Sequence, residues 1–162
     1  MKRILMLAMA ALSIGSVSAG TYTWTGSAED GLWYTAGNWS YDDGNGTVTN
    51  PATKAPASGS SDDIVIANGG TVEYIPGGDW IPKGMVTISG GSTLFQSGGA
   101  AWPSIQGTMI LDGGTYNPGS AGRLRIPGTL IMRNNAVIGD APEYEFGTGT
   151  VFEIERGLLA RQ

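Results

Sequence analysis

A short pattern that returns at a nearly fixed interval constrains this chain more than any other feature. From Asp63 to about Ile154 an apolar pair leads into a Gly or Asn turn and then a second extended run: DIVIANGGTVEY from Asp63, MVTISGGSTLFQ from Met85, TMILDGGTYNP from Thr108, TLIMRNNAVIG from Thr129. The last apolar residues before the turns, Ile66, Ile88, Leu111 and Met132, step by 22, 23 and 21 residues, and Ile154 lies 22 further on. Such a period predicts a solenoid, in which each repeat is one coil that buries its apolar face only against its neighbours. The expected fold class is all-β: a β-solenoid, as a right-handed parallel β-helix of about four to five coils with a Trp-rich N-terminal cap.

The coil has readable parts. First strands at Ile64 to Ile66, Val86 to Ile88, Met109 to Leu111 and Leu130 to Met132 end at Asn68-Gly69-Gly70, Gly90-Gly91, Gly113-Gly114 and Asn134-Asn135. Gly and Asn accept positive φ at least cost, so a stacked corner selects them repeatedly. Second strands are expected to open at Thr71-Val72, Thr93-Leu94, Thr115-Tyr116 and Ala136-Val137. On a third side Trp80, Trp102 and Leu124 are one coil apart, so these large residues are expected to stack inside the coil or along one face. Pro76, Pro82, Pro103, Pro118, Pro127 and Pro142 gather around that side, where ladder donors are dispensable.

The first residues read differently. Lys2 and Arg3, an apolar run from Ile4 to Ile14 too short to span a bilayer, and small residues at Val17 and Ala19 form the pattern of a secretory signal peptide over residues 1–19. A buried N-terminal helix is the competing reading. A cap strand and long loop over 20–61 and solenoid repeats over 62–162 complete the expected organisation, with no membrane span in the mature chain. The formal net charge of −5 becomes −7 once Lys2 and Arg3 are removed, which argues against nucleic acid as a partner. With no cysteine and no histidine, the chain lacks disulfides, the usual zinc ligand and the usual general base. Charged residues make up only 14%, which suits β structure with uncharged polar faces.

Ahead of the repeats, Thr21, Thr23 and Thr25 alternate with Tyr22 and Trp24 as in a half-buried strand, and Trp33 and Trp39 follow closely. These tryptophans either cover the open end of the solenoid or form a sugar-stacking platform. The order Trp24-x-Gly26, Trp33, Asn38-Trp39, a Pro-containing loop and an Asp-Asp-Ile-Val-Ile strand resembles the start of secreted bacterial β-solenoid proteins related to autotransporter passengers with autotransporter-associated β-strand repeats. The residues up to Gln162 carry no outer-membrane barrel pattern, so the chain does not resemble a complete autotransporter. The resemblance implies placement outside the cell or on its surface, and an adhesive or structural role.

From Tyr41 to Ser61 the chain is polar and rich in Gly, Pro and Ser, as in a loop. Asp42, Asp43 and Asn45 approach calcium-loop spacing but equally form turns, and no cofactor is expected. Asn38-Trp39-Ser40 and Asn45-Gly46-Thr47 match glycosylation acceptors. Arg123 and Arg125 flank Leu124 and should point outward, with Glu145 one coil on as an ion-pair partner. A basic spot for an acidic polysaccharide is the alternative.

Solenoid lyases carry acids and a base on consecutive coils, and Asp79, Asp112, Arg123, Arg125 and Asp140 are the analogous residues. Their spacing does not converge. Without His or Cys no Ser-His-Asp device exists, and Lys54 and Lys83 lie outside any Ser-x-x-Lys motif. The expectation is a non-enzymatic structural or adhesive protein that pairs with itself head to tail into filaments. Its assembly edge would be Val151, Phe152, Ile154, Leu158 and Leu159. The alternatives are a module that stacks surface polysaccharide on Trp33, Trp39, Trp80 or Trp102, and a remnant of a polysaccharide-lyase-like β-helix.

Overall fold

The computed structural model describes residues 19–75, 79–98, 102–119, 123–139, 141, 143–155 and the backbone of 158–159. Residues 1–18 of the expected signal peptide, Pro76, Asp140 and Pro142 lie outside that range. The described chain is a β-solenoid of about four turns with a buried aromatic cluster at its N-terminal end.

One side of the solenoid is a sheet of strands β1 (Thr21–Trp24), β4 (Asp63–Ile66), β6 (Met85–Ser89), β8 (Thr108–Asp112), β11 (Thr129–Arg133) and β14 (Val151–Glu155), all parallel. Beyond β1, strands β2 (Trp39–Asp42) and β3 (Val48–Thr49) continue this sheet antiparallel. A second parallel sheet holds β5 (Thr71–Tyr74), β7 (Thr93–Gln96), β9 (Thr115–Asn117), β12 (Val137–Ile138) and β15 (Leu158–Leu159). The third is short, β10 (Leu124–Ile126) beside β13 (Tyr144–Phe146), and Ser104 of the preceding coil bridges to Arg125.

Register follows the apolar pattern because a one-residue slip would turn every core side chain outward. Ile66, Ile88, Leu111, Met132 and Ile154 are direct partners in successive strands, as their spacing predicts. Val86, Met109, Leu130 and Phe152 form a second inward column. The N-terminal region is built into the same stack: Tyr22 pairs with Ile64, and Leu32 bridges to Glu73 on the second side.

Two expected registers differ. Thr115 pairs with Val137 rather than Ala136, because the corner between Leu111 and Thr115 is one residue shorter than the one between Met132 and Val137. The longer corner turns through two left-handed residues, Asn134 (φ 55°) and Asn135 (φ 60°), which an Asn tolerates. On the third side Trp102 is not in the column of Trp80 and Leu124. The amide of Ser104 donates to Trp80 O (2.8 Å) and that of Arg125 to Pro103 O (2.9 Å), so buried Pro103 occupies the inward place and Trp102 turns out.

Tyr116 is buried in the core, and its hydroxyl has no hydrogen-bond partner among the described residues. A buried hydroxyl left unpaired costs more than its removal. Tyr116→Phe is therefore expected to raise stability by about 1 kcal/mol, read from urea unfolding; a loss of that size would show that the hydroxyl is satisfied in solution.

The ends of the pH scale act on different groups. Asp30 is held below the usual carboxylate range by the Thr35 hydroxyl and the Leu32 amide, Asp43 by the amides of Thr47 and Asn45, and Asp112 by the Asn134 amide group and Arg133. Lowered folded values mean that this stabilisation is complete above the ordinary value of 3.8 and drains away as pH falls through the lowered ones. Tyrosines run the other way: burial pushes Tyr22 up to about 12 and also raises Tyr74 and Tyr116. Their contribution is complete below 10.0 and is lost as pH rises through the raised values. With no histidine or cysteine between, the melting temperature should be flat from about pH 5 to 9 and fall on both sides. An inflection near neutral pH in a thermal series would contradict this account.

Candidate functional site

The four tryptophans offered by the sequence as stacking platforms separate into two kinds. Trp33, Trp39 and Trp80 are buried and leave no face for a sugar. Trp39 meets Trp24 and Trp33 edge to face at 5.0 and 4.9 Å, and Trp33 meets Trp80 at 5.7 Å. Their indole groups are bonded internally: Trp33 Nε1 donates to Pro56 O (3.0 Å) and Trp39 Nε1 to Trp33 O (2.7 Å). This cluster closes the N-terminal end of the core. Trp102 is 45% exposed, and the guanidinium of Arg123 lies 5.4 Å from its ring centre, a cation–π contact.

Arg123 and Arg125 do point outward together, and Glu145 receives both, at 2.8 and 3.2 Å. Glu143 adds a 3.0 Å pair with Arg123. Arg125 and Glu145 are direct register partners in adjacent coils, so the ladder brings them together. The neutralised cluster offers little to an acidic polysaccharide. At the first corner Arg133 Nε donates to Asp112 Oδ2 (2.9 Å), and Asn134 donates to Asp112 Oδ1, which ties two coils. Of the lyase-like candidates, Asp112 is thus spent at a corner remote from Asp79, Arg123 and Arg125, and Asp140 lies outside the described residues.

Asp42 and Asp43 serve their own turn. Asp42 Oδ1 accepts from the Gly44 amide (2.8 Å), and Asp43 Oδ1 accepts from the amides of Asn45 (2.8 Å) and Thr47 (3.0 Å). Among the described residues no group of three His, Cys, Asp or Glu is placed to hold a metal, and no helix is long and apolar enough to cross a membrane. Asn38 is buried, donating to Asp30 and Leu32 and accepting from the Ala28 amide, so it cannot serve as a glycosylation acceptor in the folded chain.

The chain was also compared with known proteins. It matches no protein-family model, no curated protein and no solved structure.

The two ends of the solenoid are unlike. At the N-terminal end the β2–β3 hairpin covers β1, and its outermost strand is two residues long. At the other end β14 extends the core columns, yet Phe152 is 37% and Ile154 48% exposed. Val151 and Phe146 are exposed beside them, and the rings of Phe146 and Phe152 meet edge to face at 4.8 Å. Leu158 and Leu159 pair through their backbone with Val137 and Ile138. Their side chains lie outside the described residues. The proposed assembly residues Val151, Phe152 and Ile154 are therefore brought together on one coil.

A cleft of about 610 Å³ at the N-terminal coil was not signalled by the sequence. It lies between Tyr34, the segment around Ala55 and Pro56, and Asp79. The exposure of Tyr34 emerges only when Trp33 beside it turns inward.

Proposed function

We propose that this chain is a non-catalytic structural protein of the cell surface or extracellular matrix, and that two copies join through their C-terminal coils. One observation carries the reading: Phe152 and Ile154 stand in register with the core columns but remain exposed. The next layer of a solenoid would cover them, and a second copy supplies an equivalent apolar layer. Outer strands also present unpaired N–H and C=O groups, which template further pairing. The signal-peptide pattern and the resemblance to autotransporter passengers support placement outside the cell.

The geometry favours tail-to-tail over head-to-tail contact. A head-to-tail ladder would have to seat β14 on the two-residue strand β3 and past the Asp42–Gly46 turn, a short, charged edge of the kind that discourages pairing. Tail to tail, β14 meets its own copy antiparallel about a two-fold axis, and an isologous contact closes at a dimer. Glu153 and Glu155 flank the same strand, so like charges oppose this contact and salt should strengthen it.

Sedimentation velocity on the chain without residues 1–19 tests the reading. A dimer is expected that tightens with added salt, while Phe152→Lys with Ile154→Lys gives a monomer of unchanged circular dichroism. A wild-type monomer at hundreds of micromolar would overturn it.

A further inference from the structure

We infer that the cleft beside Tyr34 is a binding site for an uncharged polysaccharide. Its size falls among sites that hold small ligands, roughly 300–1,000 Å³, and its walls are fixed before any ligand arrives. Tyr34 is 52% exposed, yet its ring is held 5.3 Å from buried Tyr74 at 40°. Trp33, next in the chain, is anchored from both sides: its amide donates to Glu73 O (2.9 Å) and its indole to Pro56 O (3.0 Å). The opposite wall is pinned by Ser58, whose hydroxyl donates to Asp79 O (2.8 Å) and accepts from the Ile81 amide (3.1 Å). An exposed aromatic ring on so stiff a mount is a stacking surface that costs little entropy to use.

The chemistry of the walls selects the ligand class. Between the aromatic ring and the polar ends lie small apolar groups, Ala55 and Ala57, which suit the C–H face of a pyranose and leave no deep apolar pocket for a lipid. Lys54 is exposed and makes no ion pair among the described residues, so its ammonium can donate to sugar hydroxyls. Asp79 is oriented by the Trp102 amide, which donates to its Oδ1 at 2.9 Å, and can accept from hydroxyls. One cation and one anion in the cleft of an acidic chain disfavour a polyuronate and leave nucleic acid without a basic surface.

Isothermal titration calorimetry with cellohexaose, xylohexaose and mannohexaose as uncharged probes, and trigalacturonate as the charged one, tests this site. Saturable binding of at least one uncharged hexasaccharide is expected. Tyr34→Ala should weaken it about tenfold or more, and Tyr34→Phe should retain it. No heat with any uncharged probe at millimolar concentration, tighter binding of trigalacturonate, or full affinity in Tyr34→Ala would overturn the inference. If Tyr34→Ala fails to fold, saturation transfer from the Tyr34 ring to the bound sugar in the wild-type protein decides the matter. Transfer supports the site, and its absence despite binding overturns it.

Discussion

Gly107→Ala is expected to cost about 3–5 kcal/mol or to prevent folding, although it adds one methyl group at a position that reads as an ordinary turn. Gly107 precedes β8 at the corner where the third side passes into the first, and Gly84 and Gly128 hold the same place before β6 and β11. A Cβ on Gly107 would fall on the carbonyl oxygens of Gly84 and Lys83, and one on Gly128 would fall on the oxygen of Gly107. The coils cannot separate to admit it. The Gly107 amide donates to Pro82 O (3.0 Å) and its carbonyl accepts from the Thr129 amide (3.0 Å), so the residue is clamped between both neighbouring coils. Because coils in a solenoid support only their neighbours, a fault at Gly107 uncouples the two halves of the stack.

Gly91→Ala supplies the contrast. Gly91 has φ +76° with nothing within 4 Å of an added Cβ, so its replacement carries only the backbone penalty, about 1–2 kcal/mol. Urea unfolding of the two variants separates lack of space from lack of conformational freedom. Equal losses in both would show that the stacked glycines serve only as turn formers.

These glycines mark the boundary of what the residue order reveals. The parallel run of the first sheet from β4 to β14 was legible to the residue, because Ile66, Ile88, Leu111, Met132 and Ile154 are apolar and recur one coil apart, whereas β3 and the end of β2 fall in the stretch from Tyr41 to Ser61 that reads as a loop. The second sheet slipped by one at Val137, since alignment on the last apolar residue assumes corners of equal length. The third side stayed open: the spacing of Trp102 suits an inward or an outward row, and only the ladder from Trp80 to Pro103 shows that a proline takes the inward place. The Arg123–Glu145 pair was readable because both residues are charged and one coil apart. Gly107, by contrast, looks the same in sequence whether it turns a corner or makes room for a carbonyl. Nor does the string distinguish exposed Tyr34 from buried Trp33, as that choice depends on partners 23 or more residues away.

The same dependence on distant partners makes Trp39→Ala the second large effect. Trp39 opens β2 opposite Trp24, is fully buried, and touches Trp24, Trp33 and Tyr22 edge to face. Its removal forfeits an aromatic core residue, about 3–5 kcal/mol, and strands the Trp33 carbonyl that its indole occupied. The loss is centred on the N-terminal end, because the ring neighbours of Trp39 are Tyr22, Trp24 and Trp33. Two unfolding transitions are therefore expected, the β2–β3 hairpin leaving first and the coils from β4 to β14 later. Release of the hairpin exposes the outer edge of β1, a four-residue strand in register with the rest of the sheet. On the proposed tail-to-tail contact, a protein with both edges open would no longer stop at a closed pair, and its contacts would propagate into fibres. Negative-stain microscopy and calorimetry of Trp39→Ala beside the wild type measure both consequences. A single transition with unchanged particle size would refute the view that the aromatic cluster holds the hairpin as a stopper, and that the stopper limits assembly.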